Sequence, residues 1–196
     1  MKRRPPTTLE FALLGLIHQE AQSGYDLCKS FETTPMAHYS SSPGAIYPAL
    51  KRLEARSLID GEVEGDATLR PRKVYRLTPD GLDTLRGWSL HRVTRDDVVW
   101  NVDELMLRFG FMGQLVGGED VRRFLDRLAT HIDDLVLELE SYRDGMIDAE
   151  KKAPATALPT GRLALEQGIS SYRSLADWAR RARRELEADH PERTAS

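Results

Sequence analysis

A chain of 196 residues is long enough for one large domain or two small ones, and 40% hydrophobic with 30% charged residues is a folded rather than a disordered balance. No apolar run approaches the roughly 20 residues that span a bilayer, the basic start has no apolar signal core behind it, and the lone Cys28 excludes an internal disulfide, so a cytoplasmic protein is expected. The net charge of −3 excludes a uniformly basic nucleic-acid coat. Residues 1–80, with 11 Lys and Arg against 10 Asp and Glu, are only mildly positive, so any DNA contact must come from local clusters.

Residues 1–6 read as a short basic arm. A first helix is expected from Thr8, capped by Thr7 or Thr8, with Leu9, Ala12, Leu13, Leu16 and Ile17 on one buried face. Gln22-Ser23-Gly24 breaks it, and Ser23 can cap a second short helix carrying Tyr25, Leu27, Cys28 and Phe31. After a loop at 33–41 comes SSPGAIYPALKRLEARSLI. Ser42 can cap this third helix, Pro43 suits its first position, and Ile46, Leu50 and Leu53 face inward. Pro48 removes the helical bond to Gly44, so a local distortion is expected there rather than an end to the helix. Strand-like segments at 58–64 and 73–77 flank the loop-like GDATLRPR, and Thr78-Pro79 opens a further helix.

The second half reads as helical. Residues 98–113 hold Leu105, Met106, Leu107, Phe109, Phe111 and Met112. Beyond Gly117-Gly118 a long helix over 119–150 places Val121, Leu125, Leu128, Ile132, Leu135, Leu139, Tyr142 and Met146 at alternating steps of four and three, a heptad seam. That seam can pack on its own domain or pair with a symmetry mate. A proline-bearing linker at 151–160 precedes a last helix over 162–188 with a broad apolar face, and the final residues look like a loose tail. The fold class expected is mainly α with a small β-hairpin: a winged helix-turn-helix over 1–88 and a helical domain over 89–196.

Catalytic and metal motifs are missing. The sequence has no GxxxxGK loop, HExxH, paired cysteines or Gly-x-Ser-x-Gly elbow, and its five histidines are scattered. The adjacent pairs Asp96-Asp97 and Asp133-Asp134 point about 100° apart on a helix and do not converge as acid and base. No enzyme, cofactor or metal is expected.

TTLEFALLGLI, SGYDL, SSPGAIYPALKRLEARSLI and RPRKVYRLTPDGLDTLRGW, in this order and spacing, resemble the DNA-binding domain of the PadR family over 7–88. More weakly, DELMLRFGF and ALEQGISSYRSLADW resemble the helical C-terminal part of its longer subgroup. The resemblance implies a homodimer held by C-terminal helices. It also implies repression through palindromic double-stranded operator DNA, relieved by a small effector such as a phenolic acid or a multidrug-like compound.

On that reading the third helix enters the major groove. Its start offers backbone N–H groups with Ser41, Ser42 and Gly44 to phosphate, and Ala45, Tyr47 and Lys51 project away from Ile46 and Leu50. Tyr47 has two readings, DNA contact or half-buried packing, and so does Tyr25. Arg70, Arg72 and Lys73 mark a wing near the minor groove, the alternative being a solvated turn. The eight seam residues form the dimer interface. Trp88, Trp100 and Trp178 are candidates for an aromatic effector pocket, the alternative being core packing. A winged helix used for protein contact remains the rival from another class.

Overall fold

The structure is a computed structural model that describes residues 4–34, 43–64, 71–152 and 158–189. The chain forms two compact units, Met1–His91 and Arg92–Ser196.

In the first unit the order is α1 (Thr8–Gln19), β1 (Gln22–Ser23), α2 (Gly24–Thr33), α3 (Pro43–Ala55), β2 (Ile59–Glu64), β3 (Arg72–Leu77) and α4 (Pro79–Ser89). Side-chain caps set the helix starts. Thr7 and Glu10 form a capping box on α1, Ser23 and Asp26 form another on α2, and the Thr78 hydroxyl accepts from the Gly81 N–H. The first helix departs from the one-face expectation: Glu10 through Gly15 are all buried. A helix apolar around most of its girth belongs in the middle of a core, and α1 packs against α3, β3 and α4 at once. Leu13, Leu14, Leu27, Phe31, Ile46, Leu50, Leu53, Ile59 and Leu85 fill that core.

The helix α3 runs through Pro48, which faces solvent on the side opposite Ile46 and Leu50. Its far end closes as a Schellman turn: the Leu58 N–H donates to the Leu53 carbonyl at 3.0 Å and the Ser57 N–H to the Glu54 carbonyl at 2.8 Å. Ser57 holds the left-handed position usual for glycine, at φ 58°. Gly81 is required for another reason. A Cβ there would lie 1.9 Å from the Leu58 carbonyl oxygen, so α4 starts against backbone.

The sheet has three antiparallel strands in the order β1-β3-β2, one more than the expected hairpin. Gln22 pairs with Tyr75 and Ser23 with Val74 on one side of β3; Ile59 through Glu64 pair with Leu77 through Arg72 on the other. The extra strand follows from the cap, since an N-cap residue is extended and Ser23 (φ −77°, ψ 161°) is free to pair.

In the second unit α5 (Arg95–Trp100) and α6 (Val102–Leu115) divide at Asn101. The remaining two elements are α7 (Gly118–Glu150) and α8 (Thr160–Asp189). These last two pair antiparallel. Along α7, Asp126, Asp133, Glu140 and Glu150 meet Arg183, Arg180, Arg173 and Arg162 of α8, the partner numbers falling as the α7 numbers rise. Asp126, Asp133 and Glu140 are seven residues apart, so these pairs recur at the heptad period and flank the apolar seam.

Within one chain, part of the seam packs on its own domain. Val121, Leu125, Leu128, Ile132 and Leu135 lie inside the unit's own core with Ile169, Ala176 and Ala179 of α8. The apolar face of α8 supplies within one chain the complement that a symmetry mate was expected to bring. Leu139 is half-buried on the same core, and Met146 lies against Gly161, whose Cβ would come 3.2 Å from its terminal methyl. Of the eight, Tyr142 alone is mostly exposed, at 67%. Among the described residues no helix is long and apolar enough to cross a membrane, and no group of three or more His, Cys, Asp or Glu could hold a metal ion.

Candidate nucleic-acid interface

The helix α3 turns Ile46, Ala49, Leu50 and Leu53 inward and leaves Gly44, Tyr47, Pro48 and Lys51 on the opposite side. Steps of three and four place Gly44, Tyr47 and Lys51 in one outward stripe. Ala45 is half-buried beside it. Ser41, Ser42 and Arg70 lie outside the described residues.

The Tyr47 ring is partly packed and partly open. It is 48% exposed, yet a Cβ on Gly24 would lie 2.6 Å from its Cε1, so one edge of the ring rests on the start of α2. Glycine at 24 lets the two helices come this close. Tyr25, the next residue, is 71% exposed. The short strand β1 holds this end of α2 beside β3, and Arg72 at the start of β3 reaches Asp26 at 3.8 Å. Tyr25 and Arg72 thus sit on elements tied by the extra strand, a link the sequence did not disclose, and Tyr47 of α3 rests against the first of them.

Several cations near this face are already engaged. Arg52 Nε donates to Glu10 Oε1 at 2.6 Å, and Arg56 lies 3.9 Å from the other oxygen. The buried Glu10 carboxylate also accepts from the Thr7 N–H at 3.0 Å, so its charge is paired and hydrogen-bonded, as burial demands. Arg76 pairs with Glu64 at 2.9 Å across β2 and β3. Lys73 donates to Glu54 of α3 at 2.8 Å, and that hydrogen bond raises the ammonium pKa above the ordinary lysine value. Burial pushes the neighbouring Tyr75 phenol up, with Lys73 opposing and with Glu54 and Tyr47 adding to the shift. Glu10, Glu54 and Asp26 were missed from sequence. For Glu10 a signal existed, the Thr-x-x-Glu spacing of a capping box; Glu54 has no local signature, because its partner is 19 residues away.

The three tryptophans have different surroundings. Trp88 stacks on Phe11 in the first unit, with ring centroids 4.5 Å apart and planes 7° apart. Trp178 meets Phe109 edge-on in the second unit at 5.1 Å. Both rings are spent on local packing, whereas Trp100 is 79% exposed. In the second unit, Arg108 is buried with its guanidinium over the Phe124 ring at 5.4 Å, and burial lowers its pKa against the pull of Asp97 and Glu104.

A helix pair with an outward-facing second helix, closed by a hairpin and a third strand, defines a winged helix-turn-helix protein, here followed by a helical second unit. Residues 13–87 match the Transcriptional regulator PadR-like family, and residues 103–187 match Virulence activator alpha C-term. The chain thus carries a PadR-like domain followed by a Virulence activator alpha C-term domain. It is 27% identical over 170 residues to the Negative transcriptional regulator PadR of Bacillus subtilis (strain 168), covering 87% of this chain and 92% of that protein. The Transcriptional regulator YqjI of Escherichia coli (strain K12) is 37% identical over 78 residues, 39% of this chain and 35% of that protein. The crystal structure of Bacillus subtilis PadR in complex with operator DNA is similar over 92% of this chain and 99% of that one, at 21% identity. Its TM-score is 0.42.

Proposed function

We propose that this regulator is a repressor that binds palindromic operator DNA as a homodimer and is released by a small aromatic effector. Residues 1–88 would bind DNA and residues 89–196 would dimerise and sense the effector. The observation that carries the DNA reading is the outward stripe of α3. Gly44, Tyr47 and Lys51 are left uncovered by the first unit, with Tyr25 and Arg72 alongside. A helix so placed fits a major groove, where Tyr47 reaches a phosphate or base edge and Lys51 a phosphate. Arg72 would exchange its long contact with Asp26 for a backbone phosphate, and Ser41, Ser42 and Arg70 would complete the contact on either side.

The dimer reading rests on avidity. One winged helix meets few phosphates, and joining two multiplies affinity through effective concentration. With the front of the seam used inside the protomer, self-association would fall on surface that the hairpin leaves open, where Tyr142 and Leu137 of α7 are exposed. The effector reading retains Trp100, the one tryptophan with an open ring face on which a flat aromatic molecule can stack.

Selection of bound duplexes from a random pool tests the core of this. A palindrome with half-sites about one helical turn, roughly 34–36 Å, apart or a multiple of that is expected. Enrichment of a lone half-site would contradict the dimer, and no enrichment would contradict DNA binding and favour a winged helix used for protein contact.

A further inference from the structure

We propose that Lys73 is a positioning residue rather than a phosphate contact: laid across Gly61 onto Glu54, its side chain latches the wing to the outward-facing helix α3. The proposal rests on the DNA-binding reading above and assigns one of its cations a different task.

Three elements meet at the latch. Lys73 on β3 points its ammonium at both oxygens of Glu54 on α3, at 2.6 and 2.8 Å. On the way it passes β2 where Gly61 has no side chain. A Cβ there would lie 2.1 Å from Lys73 Cε, 3.0 Å from Glu54 Oε1 and 3.0 Å from Tyr75 Cε1. Gly61 faces Tyr75 in the register, and Lys73, two residues along β3, shares that face of the sheet. The ammonium also sits 5.5 Å from the Tyr75 ring centroid. A bare strand position, an aromatic floor and a carboxylate at the far side together hold one lysine in a single path.

Arg72 shows the contrast. Among the described residues its carboxylate partner is Asp26, at 3.8 Å, and its side chain is largely open to solvent. That arginine can exchange a carboxylate for a phosphate at small cost. Lys73 would have to leave two close oxygens, and the side-chain tie between β3 and α3 would be lost in doing so. A partly exposed ion pair adds little to global stability, so the consequence of the latch is orientation. It fixes where the hairpin stands relative to the helix that the DNA-binding reading places in the groove.

The test compares Lys73→Met, Glu54→Gln and the double variant in the full-length protein, with thermal melting as the check that each folds. Without DNA, hydrogen exchange in β2 and β3 should quicken to the same degree in all three; unchanged exchange in either single variant would overturn the latch. With a selected duplex, each single variant should bind about two- to fivefold more weakly. The double variant should bind no more weakly than either, and the dependence on salt should keep its slope. The opposite pattern would make Lys73 a phosphate contact restrained by Glu54: Lys73→Met flattening the slope by about one contact and Glu54→Gln tightening binding. If the unaltered protein bound no duplex, the parent reading would fall, while the exchange measurement would still decide whether the latch exists.

Discussion

The two units use charge in opposite ways. In the helical unit, carboxylates of α7 and arginines of α8 meet at heptad intervals beside an apolar seam, and the pairs are partly exposed. They set register while the seam supplies the stability. In the winged unit the pairs tie different elements to α3 rather than repeating along one helix pair. Glu10 of α1 holds Arg52 of α3, and Glu54 of α3 holds Lys73 of β3. The first pattern builds a long rigid hairpin. The second ties α1 and β3 to α3 while leaving Tyr25, Tyr47, Lys51 and Arg72 facing outward.

The largest effect should come from the seam. Leu128→Ala removes a fully buried side chain from the α7–α8 core and should cost about 2–5 kcal/mol, read as a lower denaturant midpoint. A loss under about 1 kcal/mol would mean that the seam is not the core of this unit. Gly81→Ala comes next, because its methyl meets the Leu58 carbonyl; the expected cost is about 1–3 kcal/mol, confined to the winged unit. Wild-type stability in that variant would show that α4 does not start against the Leu58 carbonyl. Glu10→Ala deletes half of a capping box and the anchor of Arg52, for about 1–2 kcal/mol.

Smaller effects sharpen the contrast. Ser57→Gly relieves a left-handed backbone position and should raise stability by up to about 1 kcal/mol, and destabilisation would argue against the Schellman turn. Asp133→Asn breaks an exposed pair with Arg180 and should cost roughly 0.2–1 kcal/mol. If it cost as much as Glu10→Ala, the distinction drawn between the units' ion pairs would fail.

Legibility in the sequence followed the range of the interaction. The starts of α1, α2 and α4 were readable because a cap is decided within four residues, and α3 was readable through Pro48 because Ile46, Leu50 and Leu53 keep their spacing on both sides of it. The outward stripe followed from the same periodicity. By contrast, β1 is two residues long and exists only because β3 passes beside an extended cap. The seam at Val121–Leu135 was found, but a heptad pattern carries no mark of whether its complement lies in the same chain. Here it does, in α8. The pairs Lys73–Glu54 and Arg52–Glu10 span 19 and 42 residues, and nothing local marks either partner for the other.

The most direct test of the account is the affinity of the full-length protein for a selected operator duplex, measured across a salt series. Log affinity should fall linearly with log salt, by about 0.9 for each phosphate neutralised, with Arg72→Ala flattening the line by about one contact and Tyr47→Ala weakening binding to the operator. A protein that bound no duplex at low ionic strength would contradict the account.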